Sequence, residues 1–195
     1  MVTLIAEPLT IDSFKEYGTI ISPEEEISRL GSLEKSANHG TAIKLLQVSR
    51  VENGSSSGVP NWNLFRCFPQ PHLNRAFTPG STRGVLHKVE VLEKHPSSSQ
   101  TFVPMGRNSA EVAYLIVVAK EIANKPDLST VRAFTCLGGQ AVTYGLGIWH
   151  APMIVLGVQE HLDFAVLIYE SLDPEYPERD CVEEHYGHAG IHITV

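Results

Sequence analysis

From residue 40 onward, apolar and polar residues alternate in short runs, and Gly, Pro, Asn or Ser closes each run before it reaches helical length. Alternation sends successive side chains to opposite faces, which is the pattern of half-buried strands. Ala42–Val48 and Trp62–Phe68 read this way, the latter closed by Pro69 and Pro71. Glu111–Ala119, Val131–Cys136, Gln140–Tyr144, Met153–Leu156 and Phe164–Tyr169 follow, with turns expected at Asn53–Gly58 and Thr78–Gly84. About eight or nine such strands predict an all-β sandwich or barrel. Only the N-terminal part carries helix signals. Thr10–Tyr17 has a hydroxyl N-cap and ends at Gly18, and Ser22-Pro23-Glu24-Glu25 has capping-box spacing with Pro at the first helical position. That second helix is expected to end near Gly31, and the acidic, His-containing tail after Asp173 reads as loop or a short helix.

A chain of 195 residues fits one domain, 1–195, and can bury a core without disulfides. The net charge of −7, with Lys and Arg scattered, excludes a phosphate-binding face, so no nucleic acid is expected. Cys67, Cys136 and Cys181 are odd in number and far apart, which suits a reducing compartment. No apolar stretch reaches membrane-spanning length, and the N-terminus lacks a basic start and a long apolar run. A cytoplasmic protein with no membrane partner is the expectation.

One segment carries chemistry as well as pattern. On Val85–His95 the odd positions run Val85, His87, Val89, Val91, Glu93, His95, and the even ones Leu86, Lys88, Glu90, Leu92, Lys94. Read as one strand, it has a core-facing stripe that ends in a carboxylate and an imidazole, while the other face is mainly solvated. His87 shares that stripe and is a secondary pocket candidate. Glu93-x-His95-x(4)-Gln100, with His150 on a later strand, has the spacing of a jelly-roll metal site but different residue types. Two His, a Glu and an amide would suit Ni, Mn, Fe or Zn. The alternative is a solvated strand end without a metal. Arg66 and Arg132 lie in apolar strands. If either faces inward, a substrate carboxylate could satisfy it; otherwise it lies on a solvated face. Cys67 lacks a paired base, and the tail histidines His185, His188 and His192 are assigned no role.

Taken together, Asn63-Leu64-Phe65-Arg66, Leu92-Glu93-Lys94-His95-Pro96, Gln100-Thr101-Phe102-Val103-Pro104, Arg132-Ala133-Phe134 and Gly147-Ile148-Trp149-His150-Ala151-Pro152 resemble the ureidoglycolate lyases, most closely the fungal branch. The resemblance runs from the first helix to Asp180–His185. It implies a cupin-like (jelly-roll) barrel, a homodimer, and cleavage of (S)-ureidoglycolate to glyoxylate and urea in the allantoin branch of purine degradation. In bacterial relatives it implies a divalent metal, often nickel, which here Glu93, His95, Gln100 and His150 would hold if one is bound. His95 or His150 would be the base, with Glu93 tuning it and Gln100 binding the ureido group or the metal. Arg66 or Arg132 would hold the carboxylate, and Phe102 and Trp149 would exclude water. Two other readings are another metal-dependent cupin enzyme and a non-catalytic barrel that binds a small carboxylate.

Overall fold

The computed structural model describes residues 2–30, 36–75, 84–187 and 190–195. Three sheets account for most of it, an all-β fold consistent with a cupin-like jelly roll. A central sheet runs in the order Val182–His185, Val91–Lys94, Trp149–His150, Val112–Ala119, Arg132–Leu137, Glu7–Pro8, and Ile154–Val155 also pairs with Val112–Ala119. A five-stranded sheet has the order Gly18–Ile21, Ala141–Tyr144, Gln100–Met105, Leu162–Glu170, Val59–Cys67. A three-stranded sheet places Ile191–Thr194 between Val2–Ile5 and Leu86–Val89.

The central sheet is covered on both faces. Tyr114, Ile116 and Val118 share one core with Phe164 and Val166 of the five-stranded sheet. Their neighbours Leu115, Val117 and Ala119 share a second core with Ile191 and Ile193 of the three-stranded sheet. Double burial explains why Val112–Ala119 is a continuous apolar run while Leu162–Glu170, whose burial alternates, is not.

The first helix is Ile11–Phe14, capped by Thr10, whose hydroxyl accepts the Ser13 N–H in a reciprocal box. The second is Pro23–Leu30; its expected end at Gly31 lies outside the described residues. Its Ser22–Glu25 pair is used differently from a capping box. The Glu25 carboxylate accepts the Ile11 N–H at 3.0 and 3.1 Å, joining the two helices, and Ser22 Oγ accepts from Gln140 Nε2 at 3.1 Å.

Several expected elements differ. Of Ala42–Val48, only Ala42–Ile43 pairs, because Gln47 takes φ +59, which no strand accommodates. The segment is instead held from outside, where Ser49 Oγ bridges Thr19 and Thr143 at 2.8 and 2.7 Å. The turn at Thr78–Gly84 lies outside the described residues apart from Gly84. Val85–His95 is not one strand. It breaks at Glu90 into Leu86–Val89, in the three-stranded sheet, and Val91–Lys94, in the central sheet. The hop shifts the parity, so Val89 and Leu92 face the same core. The even positions after the break, which looked solvated, are therefore buried, whereas Leu86 and Glu90 before it are exposed: Leu92 is inaccessible, and Lys94 lies over the Trp149 ring, paired with Glu121. His87 goes to the second core's side, stacked on His72, with no contact to His95.

The tail is also structural. Val182–His185 pairs with the strand carrying Glu93, and Ile191–Thr194 is the middle of its sheet, with Ile191 and Ile193 almost fully buried. Truncating a buried branched side chain leaves a cavity that costs about 2–5 kcal/mol. Ile193→Ala is therefore expected to lower unfolding stability by that amount in a urea titration; a change of a few tenths would show the tail to be dispensable.

Candidate active site

The site begins with strand register. Glu93 and His150 are directly paired on adjacent antiparallel strands of the central sheet, so their side chains share one face. That face looks toward the five-stranded sheet. Trp149, one residue away, must point to the other face, where it packs in the second core. After Lys94 the chain leaves the central sheet through His95-Pro96-Ser97-Ser98-Ser99 and re-enters as Gln100–Met105 in the opposite sheet. Serine hydroxyls secure this crossing: Ser98 Oγ accepts the Tyr169 N–H at 2.9 Å, and Ser99 Oγ accepts the Glu52 N–H at 2.7 Å. Gln100 thereby returns facing the residues that the chain has just left.

The donors converge. His150 Nε2 is 3.1 Å from Gln100 Oε1 and 3.5 Å from Glu93 Oε1. One ligand atom from each of Glu93, His95 and His150 lies within 4.8 Å of the others, a group that could hold a metal ion. The imidazoles are 5.6 Å apart between centroids, and the Tyr144 ring stacks on His150 at 4.0 Å. Gly147, at φ +68, makes the turn before Trp149 and donates its N–H to the His95 carbonyl at 3.1 Å, tying the two segments together.

Backbone carbonyls fix both histidine tautomers. Ile148 O lies 3.0 Å from His150 Nδ1, and Asp180 O lies 2.6 Å from His95 Nδ1. A carbonyl only accepts, so each Nδ1 carries the proton and each Nε2 presents a lone pair in the neutral ring. His95 Nε2 is buried without a partner. Two outer hydrogen bonds that turn two lone pairs toward a carboxylate are the arrangement by which proteins orient metal-ligating histidines. The residues thus fit a divalent cation. Burial pushes the His95 imidazole below its ordinary value, with His150 adding to the effect and the Asp180 carbonyl and Glu93 opposing it. Burial alone would raise the Glu93 carboxyl, but protonated His150, through its Nε2–H and its charge, and the charge of protonated His95 hold it below its ordinary value.

The other expected site residues lie elsewhere. Arg66 is half-exposed and donates Nε and Nη2 to Asp163 at 2.8 Å, the residue opposite it on the neighbouring strand. Arg132 pairs with Glu7 and lies over the Phe134 ring. Both guanidinium groups have carboxylate partners within the chain, and neither reaches the Glu93–His95–His150 group. Phe102 is on the site's side of its sheet but sits in the core against Phe65, Tyr144 and Phe164. Trp149, as noted, faces away. Sequence reading missed Tyr144, Asp180 and Glu170, whose charge acts on His95. Tyr144 could have been suspected from its place immediately before the Gly-Leu-Gly turn, but Asp180 acts through its main chain, which leaves no side-chain signal. A cleft of about 620 Å³ is lined by Gln70, His72, His87, Lys88 and the 151–154 turn and includes none of the four converging residues.

A family model described as ureidoglycolate lyase matches residues 1–194. The chain belongs to the ureidoglycolate lyase family. A ureidoglycolate lyase of Saccharomyces cerevisiae is 75% identical over 195 residues, covering 100% of both chains. One of Schizosaccharomyces pombe is 36% identical, covering 91% of this chain and 88% of its own. One of Burkholderia mallei is 34% identical, covering 86% and 82%.

The titrations of this ureidoglycolate lyase family site have a stability consequence. Native His95 resists protonation below its ordinary 6.5, so as pH falls from there the unfolded chain binds the proton first and native stability drops. Glu93, held below 4.5, contributes stability that is present above that value and lost as pH falls through its folded one. Both effects weaken the fold on acidification. Urea midpoints of the metal-free protein are expected to fall between about pH 7 and about pH 5, and His95→Gln should flatten that slope.

Proposed function

We propose that this chain cleaves (S)-ureidoglycolate to glyoxylate and urea. Two supports carry the reading: the full-length membership in a family so named, and above all the convergence of Glu93, His95, Gln100 and His150 on one face of the central sheet. The substrate is a carbinolamine, whose one carbon bears a hydroxyl, a carboxylate and a ureido nitrogen. Cleavage moves the hydroxyl proton to a base, forms the carbonyl, breaks the carbon–nitrogen bond and returns a proton to the departing nitrogen. No oxidant, nucleophile or phosphate is needed.

His95 Nε2 is the group suited to take that proton. It is unpartnered, its tautomer is fixed by Asp180 O, and its lowered pKa leaves it unprotonated at neutral pH. Protonated, it becomes the acid for the urea nitrogen. Glu93 and His150 orient and electrostatically balance it, and the Gln100 amide is placed to hydrogen-bond the ureido group. Tyr144, packed flat on His150, and Phe102 beneath it keep water from that side.

The donor set favours a second arrangement of the same site. Glu93, His95 Nε2, His150 Nε2 and Gln100 Oε1 would hold a divalent cation, nickel by the family resemblance, which when bound supplies a Lewis acid that lowers the pKa of the substrate hydroxyl.

The wider reading follows from the same family. We place the reaction in the allantoin branch of purine degradation and the protein in the cytoplasm, where its three free thiols are at home. Among the described residues no helix is long and apolar enough to cross a membrane. A homodimer is supported by the edge strand Val59–Cys67, which leaves Trp62 and Leu64 about two-thirds exposed (65% and 68%) on one face.

Following urea and glyoxylate separately tests the reaction; ammonia in place of urea would overturn it. His95→Ala and His150→Ala are each expected to lose about 10²–10⁴-fold in kcat with the fold intact, the usual worth of a positioned proton-transfer group. Arg66→Ala is expected to stay close to the parent. Assay after exhaustive chelation separates the two arrangements: surviving turnover assigns the proton to His95 Nε2, whereas turnover lost and restored by nickel assigns that atom to the cation.

A further inference from the structure

The segment between the strands Leu162–Glu170 and Val182–His185 crosses from the five-stranded sheet to the central one and passes over His95. Its shape is set by one carboxylate. Asp180 Oδ1 accepts the Ser171 N–H at 2.8 Å and the Ser171 hydroxyl at 3.0 Å, and Oδ2 accepts the Leu172 N–H at 2.7 Å. Leu172 is held at φ +53, a left-handed backbone that a leucine adopts only under constraint. The Asp180 carbonyl oxygen is the acceptor 2.6 Å from His95 Nδ1. Side chain and main chain of Asp180 thus face in two directions: the first closes the loop end to end, and the second is thereby aimed at the imidazole. Immediately afterwards Val182 and Glu183 enter register with Lys94 and Glu93, so the carbonyl is fixed from both sides.

We propose that Asp180 is a positioning residue for the reaction, its carboxylate staple holding its own carbonyl where it fixes the His95 tautomer and so keeps the Nε2 lone pair directed into the site. It rests on the reading of His95 as part of that site. Nothing in the loop touches the substrate for this; a displaced carbonyl lets the imidazole rotate or exchange its tautomer, and the lone pair is lost.

The test has two arms. Nitrogen-15 imidazole spectra, with the His95 signals identified by their loss in His95→Gln, report the tautomer directly and need no turnover. The native protein is expected to carry the His95 proton on Nδ1, and Asp180→Asn to shift it toward Nε2 or a mixture. Kinetically, Asp180→Asn is expected to lose about 10–100-fold in kcat, the usual effect of breaking an outer hydrogen bond to a functional histidine, with KM moving less. Ser171→Ala removes one of the staple's donors and leaves two N–H groups, so its loss should be smaller and in the same direction. A native His95 proton on Nε2 overturns the proposal. So does an Asp180→Asn protein that melts earlier but keeps the native His95 spectrum, since the staple is then structural only. If Asp180→Asn does not fold, the native spectrum and Ser171→Ala decide. If ureidoglycolate is not turned over at all, the function fails and the spectra still judge the positioning.

Discussion

Glu93 and His150 face one another across a single strand pair, 3.5 Å apart, in a part of the molecule where the histidine is almost fully buried. Removing a carboxylate from water is costly unless neighbouring dipoles and charges replace the solvent. Here the replacement comes from the two imidazoles when they are protonated: the hydrogen bond and charge of His150 and the charge of His95 then outweigh burial and hold the Glu93 carboxyl below its ordinary value. In the neutral rings the Nδ1 protons have fixed acceptors in Ile148 O and Asp180 O, which sets both tautomers. The chain of dependence therefore ends in backbone, which does not titrate and moves only if a whole loop moves.

That dependence explains the surrounding architecture. Glu93 comes from the central sheet, Gln100 from the five-stranded sheet, and His95 from the crossing between them. No single element can supply all three, so the geometry is only as rigid as the crossing. The Ser98 and Ser99 hydroxyls, the Gly147 N–H and the Asp180 loop each attach to that crossing from a different side. The serine run is held both by main-chain bonds to Glu52 and Gly54, in a bridge of Ser98 with Asn53, and by its side-chain hydroxyls.

The identity of the converging residues was legible because period and spacing survive folding. Glu93 and His95 stood out as polar ends of an apolar stripe, and His150 followed a Gly turn. What misled was the assumption of one unbroken strand. A chain that changes sheet at Glu90 shifts its parity without any Gly or Pro to announce it, and a sheet covered on both faces buries Leu92 and Lys94 where a two-layer reading leaves them wet. The tail failed for a related reason. Ile191-His192-Ile193-Thr194 is too short to show a period by itself and becomes a central strand through distant partners, Val2–Ile5 almost the whole chain away and Leu86–Val89 about half of it. Arg66 and Arg132 were suspect as cations in apolar strands. Whether such a residue faces in depends on the strand opposite, where Asp163 and Glu7 lie ready.

The fate of those arginines bears on the chemistry. A ureidoglycolate molecule is an anion, and the fixed charges that the described residues bring near His95 include the carboxylates of Glu93 and Glu170. The positive charges that act on Glu93 are those of the two histidines when protonated, not of a Lys or Arg. Neutral histidines with their lone pairs inward make the site still more electron-rich, so by itself it repels the substrate carboxylate. Protonating an imidazole would correct the sign but would consume the base that starts the reaction. A divalent cation held by those lone pairs would correct the sign without that cost, because it would add two positive charges where the lone pairs already point. The tautomers that the two carbonyls impose are those that would let an acid-rich pocket bind such a cation, so charge balance ties the metal question to the geometry of Asp180 and Ile148.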